Sequence, residues 1–492
     1  MKTKLIKLIL PVMILMLLFT GCLDEKDIVS KGNNIENEAV AKTADLNDSD
    51  DLDDDTSESA LTTVSTKSDD DTNEITSNTG SANNNEEIGV EDYLMNNYQS
   101  LYLENSDEIE DLKILEEDLQ DNEIFFTGEM HGIEMNTTLR MTFLKYFKEK
   151  VGFKYYLCET SPGSAYYLNK YLETGDELIL EQLFEPLRGT MSWNHETYNH
   201  WIELYEYNKT LPNDKKIEVV GVDVEHQVDT AFKALVDLLP DTAAPNEIKA
   251  VLSGLIETST YLENASYGEA SEFTIARDEA YRFSQTLKDV IGENERLFRE
   301  YFGENFSLFE LINDNVINSK VVYDNIQNSN WNNVRDKIIF ENFLIVDKEL
   351  PDGKYYGQWG MHHTIQHIEK GTLWFAGWLN SDKSSYKGQV LTIIYNYENC
   401  TRMSREAGGV YATAETNYVF PFLKDVNDQI GENVNIYKLD GENSPIKKEP
   451  MYKSFTGEEL GSKYYKLSDD VLDFFQYIVL VKDSNATKPL DQ

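Results

Sequence analysis

The sequence predicts an α/β protein: a largely parallel central sheet flanked by helices, with a helical insertion lobe. Three observations carry that prediction. Short apolar runs alternate along the chain with longer segments of helical period. Four of these runs end in an acidic residue or a histidine. The stretch from about 231 to 330 has helical period and few strand candidates, as an insertion between sheet strands would. Alternation of this kind buries a parallel sheet between helical layers.

The elements follow in order. Glu108 to Leu119 reads as an amphipathic helix, and Ile124-Phe125-Phe126 as a short buried strand ending at Gly128. Ile133 to Lys150 places Leu139, Phe143, Leu144 and Phe147 on adjoining helical positions. Tyr155-Tyr156-Leu157-Cys158 is the next strand. Helical patterns run from Ser164 to Gln182 and from His195 to Asn208, followed by a strand at Ile217 to Val222. Ala231 to about Tyr323 is mostly helical, and Arg335 to Leu350 is a further helix. Tyr355 to Trp359, Gln389 to Tyr397 and Phe475 to Val481 are the remaining strands.

The first 90 of the chain's 492 residues do not belong to this pattern. Lys2, Lys4 and Lys7 precede an apolar run from Leu8 to Phe19 that stops at Thr20-Gly21-Cys22. A basic start, a short apolar run and small residues describe a secretory signal; about a dozen apolar residues fall short of the ~20 that span a bilayer. Residues 23–90 hold 19 acidic and 4 basic side chains and no aromatic. Such a segment buries too little apolar surface to offset its ordering entropy, so it is expected to be a disordered acidic tether, longer than about 45 Å through charge repulsion. The working body is then 91–492, and all seven histidines lie between 131 and 367.

Composition narrows the function. Eighty-eight acidic and 44 basic side chains give a formal charge of −44, which excludes a general nucleic-acid binder because phosphates would be repelled. Three cysteines cannot build a disulfide framework; outside the signal, Cys158 and Cys400 are the only pair able to bridge.

The polar residues that close the apolar runs are the candidate site. Ile124 to Gly128 ends in Glu129 and His131, and Tyr155 to Cys158 ends in Glu159. Val219-Val220-Gly221-Val222 ends in Asp223, and Tyr355 to Trp359 leads to His362 and His363. Ligands bind beyond the carboxyl ends of strands in open α/β sheets, so these groups are expected on one edge. Arg140 shares a helix face with Phe143, Leu144 and Phe147. A guanidinium in an apolar stripe needs a partner, Glu129 or Glu159, unless it snorkels at the stripe's edge. Asp223 either stands behind His131 or caps the following helix, while His195, His200, His226 and His362 read as hydrogen-bonded structural residues.

Two resemblances follow from these residues. Phe19-Thr20-Gly21-Cys22 resembles the lipobox of bacterial lipoproteins, which implies a lipidated (palmitate-bearing) Cys22 and an extracytoplasmic, membrane-anchored protein. Gly128-Glu129-Met130-His131-Gly132, Arg140, Glu159 and Gly360-Met361-His362-His363 resemble the erythromycin esterase, ChaN and Tiki superfamily. Trp193 with Glu196, Gly221-Val222-Asp223, and Arg335-Asp336 with Glu341-Asn342 resemble stretches of the esterase branch in the same order. Glu129 stands two residues before His131 where the esterases usually have three, and Gly360-Met361-His362-His363-Thr364 differs from their later histidine segment.

What the resemblance implies is a hydrolase acting on a small-molecule or peptide substrate. Glu129, His131, Arg140, Glu159 and His363 would be catalytic, with Trp193, Asp223 and His362 around them. His131 would be the general base, Arg140 would orient a carboxylate or stabilise an oxyanion, and His363 would protonate the leaving group. The Tiki-like form would instead hold a divalent metal on Glu129, His131 and His363. The ChaN-like alternative is haem or iron binding without turnover, and a third is a non-catalytic binding scaffold. The helical region 231–330 is expected to wall or cover the cleft.

Overall fold

The computed structural model describes residues 88–103, 111–266, 270–326, 330–369, 371–405, 410–448 and 470–491. The signal, Cys22 and the acidic segment up to residue 87 lie outside the described residues. Strands are numbered β1 (Tyr98–Ser100), β2 (Ile124–Glu129), β3 (Tyr155–Cys158), β4 (Glu218–Gly221), β5 (Tyr355–Gly360), β6 (Ile368–Glu369), β7 (Thr372–Leu373), β8 (Val390–Arg405), β9 (Tyr411–Tyr418), β10 (Val434–Lys438) and β11 (Tyr477–Lys482). Among the described residues nine of them form one sheet in the order β1-β10-β11-β8-β2-β5-β3-β4, with β9 paired to β8. From β11 to β4 every neighbour is parallel, and β1, β9 and β10 are antiparallel additions.

The sheet is buried on both faces, which is why its central strands read as unbroken apolar runs rather than alternations. Phe125, Tyr156, Val219 and Tyr356 pack on one side with Leu139, Phe143, Leu144 and Phe147 of the helix Met135–Val151. Ile124, Phe126, Tyr155, Leu157 and Val220 pack on the other with Ile339 and Phe343 of the helix Trp331–Glu349. At roughly 1.5–3 kcal/mol per buried large side chain, these two layers supply most of the cohesion of the parallel sheet.

The insertion is a separate helical layer. Its five helices, Val228–Asp237, Asn246–Ser266, Ala270–Glu293, Glu295–Phe302 and Phe306–Asp324, enclose their own apolar core around Leu252, Leu255, Leu287, Phe298 and Ile312. Among the described residues no helix is long and apolar enough to cross a membrane.

Several local expectations need correction. The helix expected over Glu108 to Leu119 is, in its described part, only a 3₁₀ segment at Lys113–Asp118, where one buried residue, Leu115, is too little to anchor a longer helix. The pattern from Ser164 to Gln182 is two helices, Pro162–Thr174 and Glu177–Phe184, parted at Gly175, whose φ of +70° ends the first. β1, β9 and β10 escaped the sequence reading because two are short and β9, with one fully buried residue, has no apolar run. Cys158 and Cys400 are buried free thiols and do not bridge.

One packing detail shapes the functional edge. β3 and β5 pair only at Tyr155–Tyr355 and Tyr156–Tyr356. Beyond that the Leu157 carbonyl accepts the Trp359 indole Nε1–H at 2.6 Å instead of a backbone amide. A Cβ on Gly357 would lie 1.9 Å from that carbonyl oxygen, so only glycine lets the indole reach it. Gly357→Ala is expected to cost about 3 kcal/mol or more through overpacking, read as a lowered urea midpoint with unchanged slope; an unchanged midpoint would show that the two strands can part freely.

Candidate active site

Four strand ends deliver the polar groups. β2 ends at Glu129, β3 at Cys158 just before Glu159, β4 at Gly221 two residues before Asp223, and β5 at Gly360. In the sheet order β2-β5-β3-β4 these ends lie on one edge, as the parallel registers require. They open onto a cavity of about 210 Å³ lined by Glu129, His131, Arg140, Glu159, Asp223 and Arg335 among its polar groups.

His131 is held by what surrounds its loop. Gly132 has φ +89°, and its carbonyl accepts the amides of Met403 at 2.8 Å and Thr487 at 2.9 Å. The loop therefore rests on β8 and on the C-terminal segment. The His131 Nδ1 meets Glu129 Oε1 at 2.5 Å, and the other Glu129 oxygen accepts from Asn136 Nδ2. Asn136 is fixed in turn by the Tyr397 hydroxyl, which donates to Asn136 Oδ1 at 2.7 Å and accepts the Met130 amide at 3.0 Å. A carboxylate on Nδ1 makes that nitrogen the donor and leaves Nε2 as the free one. Nε2 sits over Gly360, where an added Cβ would approach it to 3.1 Å. Burial opposes a charge on the ring, but Glu129 beside it prevails, with Glu159 adding to the pull, and raises His131 to about 9.

Arg335 is the centre of a second network. It is 2% exposed, and its guanidinium donates to Asp223 through Nε at 2.9 Å and Nη2 at 2.5 Å, and to Glu159 Oε1 at 2.8 Å. Its Nη1 donates to His363 Nε2 at 3.1 Å. An arginine can only donate, so His363 Nε2 accepts and its Nδ1–H points to Asp336 Oδ1, 2.7 Å away. Glu159 also takes the Gly360 amide at 2.9 Å. Burial works against the Glu159 carboxylate, yet His363, Arg335 and His131 around it bring it down to about 2. Asp223, the more deeply buried of the two, is held well below the usual carboxylate range by Arg335 and His226.

Of the residues predicted from sequence, Glu129, His131, Arg140, Glu159 and Asp223 share the cavity wall. His363 lies directly behind it, buried, with Nε2 3.6 Å from Glu159 Oε1. His362 stacks on Trp374, and Trp193 is buried with Arg188 over its ring; neither is among the cavity's described lining residues. Arg140 does not pair with Glu129 or Glu159: no carboxylate among the described residues lies within ion-pair distance, and its Nε is buried without a hydrogen-bond partner. The partner of Glu159 is Arg335, a residue noticed in sequence only as part of a family-like stretch. His226, read as structural, lines the cavity and bridges Asp223 (3.2 Å) and the Tyr323 hydroxyl (2.5 Å).

The cavity wall also differs from expectation. None of its described lining residues falls between 231 and 330; Met191, Asn194 and Trp201 from the region around the helix His195–Thr210, and Thr487 near the C-terminus, stand there instead. The insertion encloses its own core and meets site residues through Tyr323 on His226 and through Asn315, whose side-chain amide donates to the Asp223 carbonyl at 2.6 Å. No sequence signal marks Thr487, since its place follows from backbone bridges between Ile133 and Ala486 and between Asn194 and Pro489.

The donor set does not fit a metal ion. Among the described residues no group of three or more histidine, cysteine, aspartate or glutamate side chains is disposed to hold one. The candidate ligands are otherwise engaged: Glu129 by His131 and Asn136, and both His363 nitrogens by Arg335 and Asp336.

Comparison with known proteins agrees with this architecture. Residues 148–355 match the family model described as erythromycin esterase. No protein of curated function matches the sequence. Among solved structures, a succinoglycan biosynthesis protein has the same fold with TM-score 0.61 and 17% identity over 81% of this chain and 97% of that one. A Bacillus cereus protein gives 0.60 and 15% over 81% and 98%. A mutant of the erythromycin esterase EreC in its open conformation gives 0.57 and 12% over 80% and 99%. Residues 148–355 thus match the erythromycin esterase family model, and the chain has the fold that these solved structures share.

Proposed function

We propose that the protein is a hydrolase of ester-like bonds, anchored outside the cytoplasm through a lipidated Cys22, with His131 as its general base. The observation that supports this reading is the His131 ring itself: the ring lines the cavity, its Nδ1 is fixed by Glu129, and its Nε2 lies beside Gly360. A neutral imidazole so oriented takes a proton from water at Nε2 as the oxygen attacks the substrate carbonyl. The resulting imidazolium, stabilised by Glu129, returns the proton to the departing alkoxide. Glu159 and Arg335 take no proton in this scheme. They hold the ends of β3 and β5 in place and keep the Gly360 amide tied beneath His131.

With full-length protein and short-chain 4-nitrophenyl esters, His131→Asn is expected to lower kcat by about 10³-fold. Retention of full activity would sink the general-base assignment. Because Glu129 raises His131 to about 9, the reactive neutral ring is the minor form at pH 7, and kcat/KM should climb with pH toward 9. Glu129→Gln removes the charge that favours the imidazolium, so the climb should move to lower pH by a unit or more while its plateau falls. A profile that does not move would show that Glu129 leaves His131 alone.

The Arg335 network predicts a stability effect separable from activity. Arg335→Met removes the cation that Asp223 and Glu159 share, and should cost about 3–5 kcal/mol in urea unfolding. In the native protein both carboxyls sit below their unfolded values near 4, so their contribution is complete above about pH 4.5 and fades as pH falls toward 2. Acid titration of Arg335→Met should lose that dependence; an unchanged acid limb would place the effect elsewhere. For the anchor, Cys22→Ser is expected to move the protein from the membrane fraction to the soluble one, whereas unaltered partition would exclude lipidation at that residue.

A further inference from the structure

Arg140 is a guanidinium in the cavity wall that Glu129 favours only from beyond ion-pair distance. It belongs to the helix Met135–Val151, whose Leu139, Phe143, Leu144 and Phe147 are fully buried in the core. The side chain itself reaches the cavity. Its Nε is enclosed by protein and donates to nothing, and no carboxylate among the described residues lies within ion-pair distance.

The nearby acids are already spent. Glu129 is shared by His131 and Asn136, and Glu159 and Asp223 both serve Arg335. The remaining neighbours carry no latent charge. Burial pushes the Cys158 thiol up to about 12 and the Tyr156 hydroxyl well above its usual value, and Tyr356 is likewise raised. His200, hydrogen-bonded to Tyr156 at 3.2 Å, is held neutral by burial and by Arg140 itself. The guanidinium is partly exposed to the cavity, and its enclosed Nε–H lacks an acceptor, which is unfavourable until something pairs with the group. The planar guanidinium matches a carboxylate or a comparable oxyanion in a two-point hydrogen bond.

Size restricts the ligand further. The cavity of about 210 Å³ is below the roughly 300–1,000 Å³ of pockets that enclose drug-sized molecules. We propose that Arg140 anchors an anionic group of the substrate, so that the molecule cleaved at His131 is a small ester carrying a carboxylate at its far end. This inference rests on the hydrolytic reading of the same cavity. The neutral ester of equal length would lack the group that satisfies the guanidinium, and the site would reject it for leaving that charge unpaired.

Binding and turnover test it separately. In full-length protein carrying His131→Asn, calorimetry with monomethyl adipate and with methyl hexanoate should show the anion binding at least about tenfold tighter, as a charge-assisted pair permits. Arg140→Gln in that background should erase the preference, and Arg140→Lys should restore part of it. Equal binding of the two esters, no binding of the adipate ester at millimolar concentration, or a preference indifferent to Arg140→Gln would overturn the anchor. Arg140→Gln should melt at or above its parent, because no internal partner is lost; a melting point several degrees lower would also overturn it, by showing that the guanidinium is paired within the protein. Turnover is read with His131 intact. Arg140-dependent binding without hydrolysis of either ester would uphold the anchor and defeat the hydrolase assignment. Hydrolysis of both esters at a ratio near one, unaltered in Arg140→Gln, would do the reverse.

Discussion

The site depends on one buried ion cluster. Arg335, on the helix Trp331–Glu349, reaches across the carboxyl ends of the sheet and binds Glu159 after β3, Asp223 after β4 and His363 after β5. Taking a guanidinium and two carboxylates out of water is costly, and the cluster persists because each member has several well-directed partners. Its reward is registration rather than net stability. The segments that follow three strands are tied to one side chain, and Glu159 extends the tie to the Gly360 amide, beside His131.

Around this cluster the protein separates two kinds of positive charge. Arg335 is saturated and faces two carboxylates, so its end of the cavity is negative or neutral. His131 is matched to Glu129, and its charge changes with pH. Arg140 is neither matched nor titratable. The cavity wall therefore carries one guanidinium satisfied by internal pairing and one that is not. The backbone contributes as well. The parting of β3 from β5 after two residue pairs, with the Trp359 indole filling the gap, makes the space into which these side chains project.

How much of this was legible in the chain differs from one group to the next. Glu129, Glu159 and Asp223 could be placed on one edge because parallel strands put their carboxyl ends together, and an apolar run that stops at an acid shows where each end lies. The helix bearing Arg140 was readable from its apolar period, which also exposed the anomaly of a guanidinium within the stripe. The pairing of that guanidinium was not readable, since several acids stood at plausible spacing and only coordinates show that Glu159 turns to Arg335 instead. The insertion was visible as a helical stretch, yet its position away from the cavity wall was not, because periodicity says which face is apolar and nothing about what that face meets.

The amino-acid sequence by itself thus determined the α/β class, the strand-end acids, the motif histidine and the odd arginine, because these follow from local period and from the fixed geometry of parallel sheets. Tertiary structure alone decided which charges neutralise each other, that Thr487 near the C-terminus closes the pocket beside His131, and that Arg140 is left over. Those outcomes turn on contacts between residues tens to hundreds of positions apart. An ångström's difference there separates an ion pair from an open site, and no spacing along the chain records it.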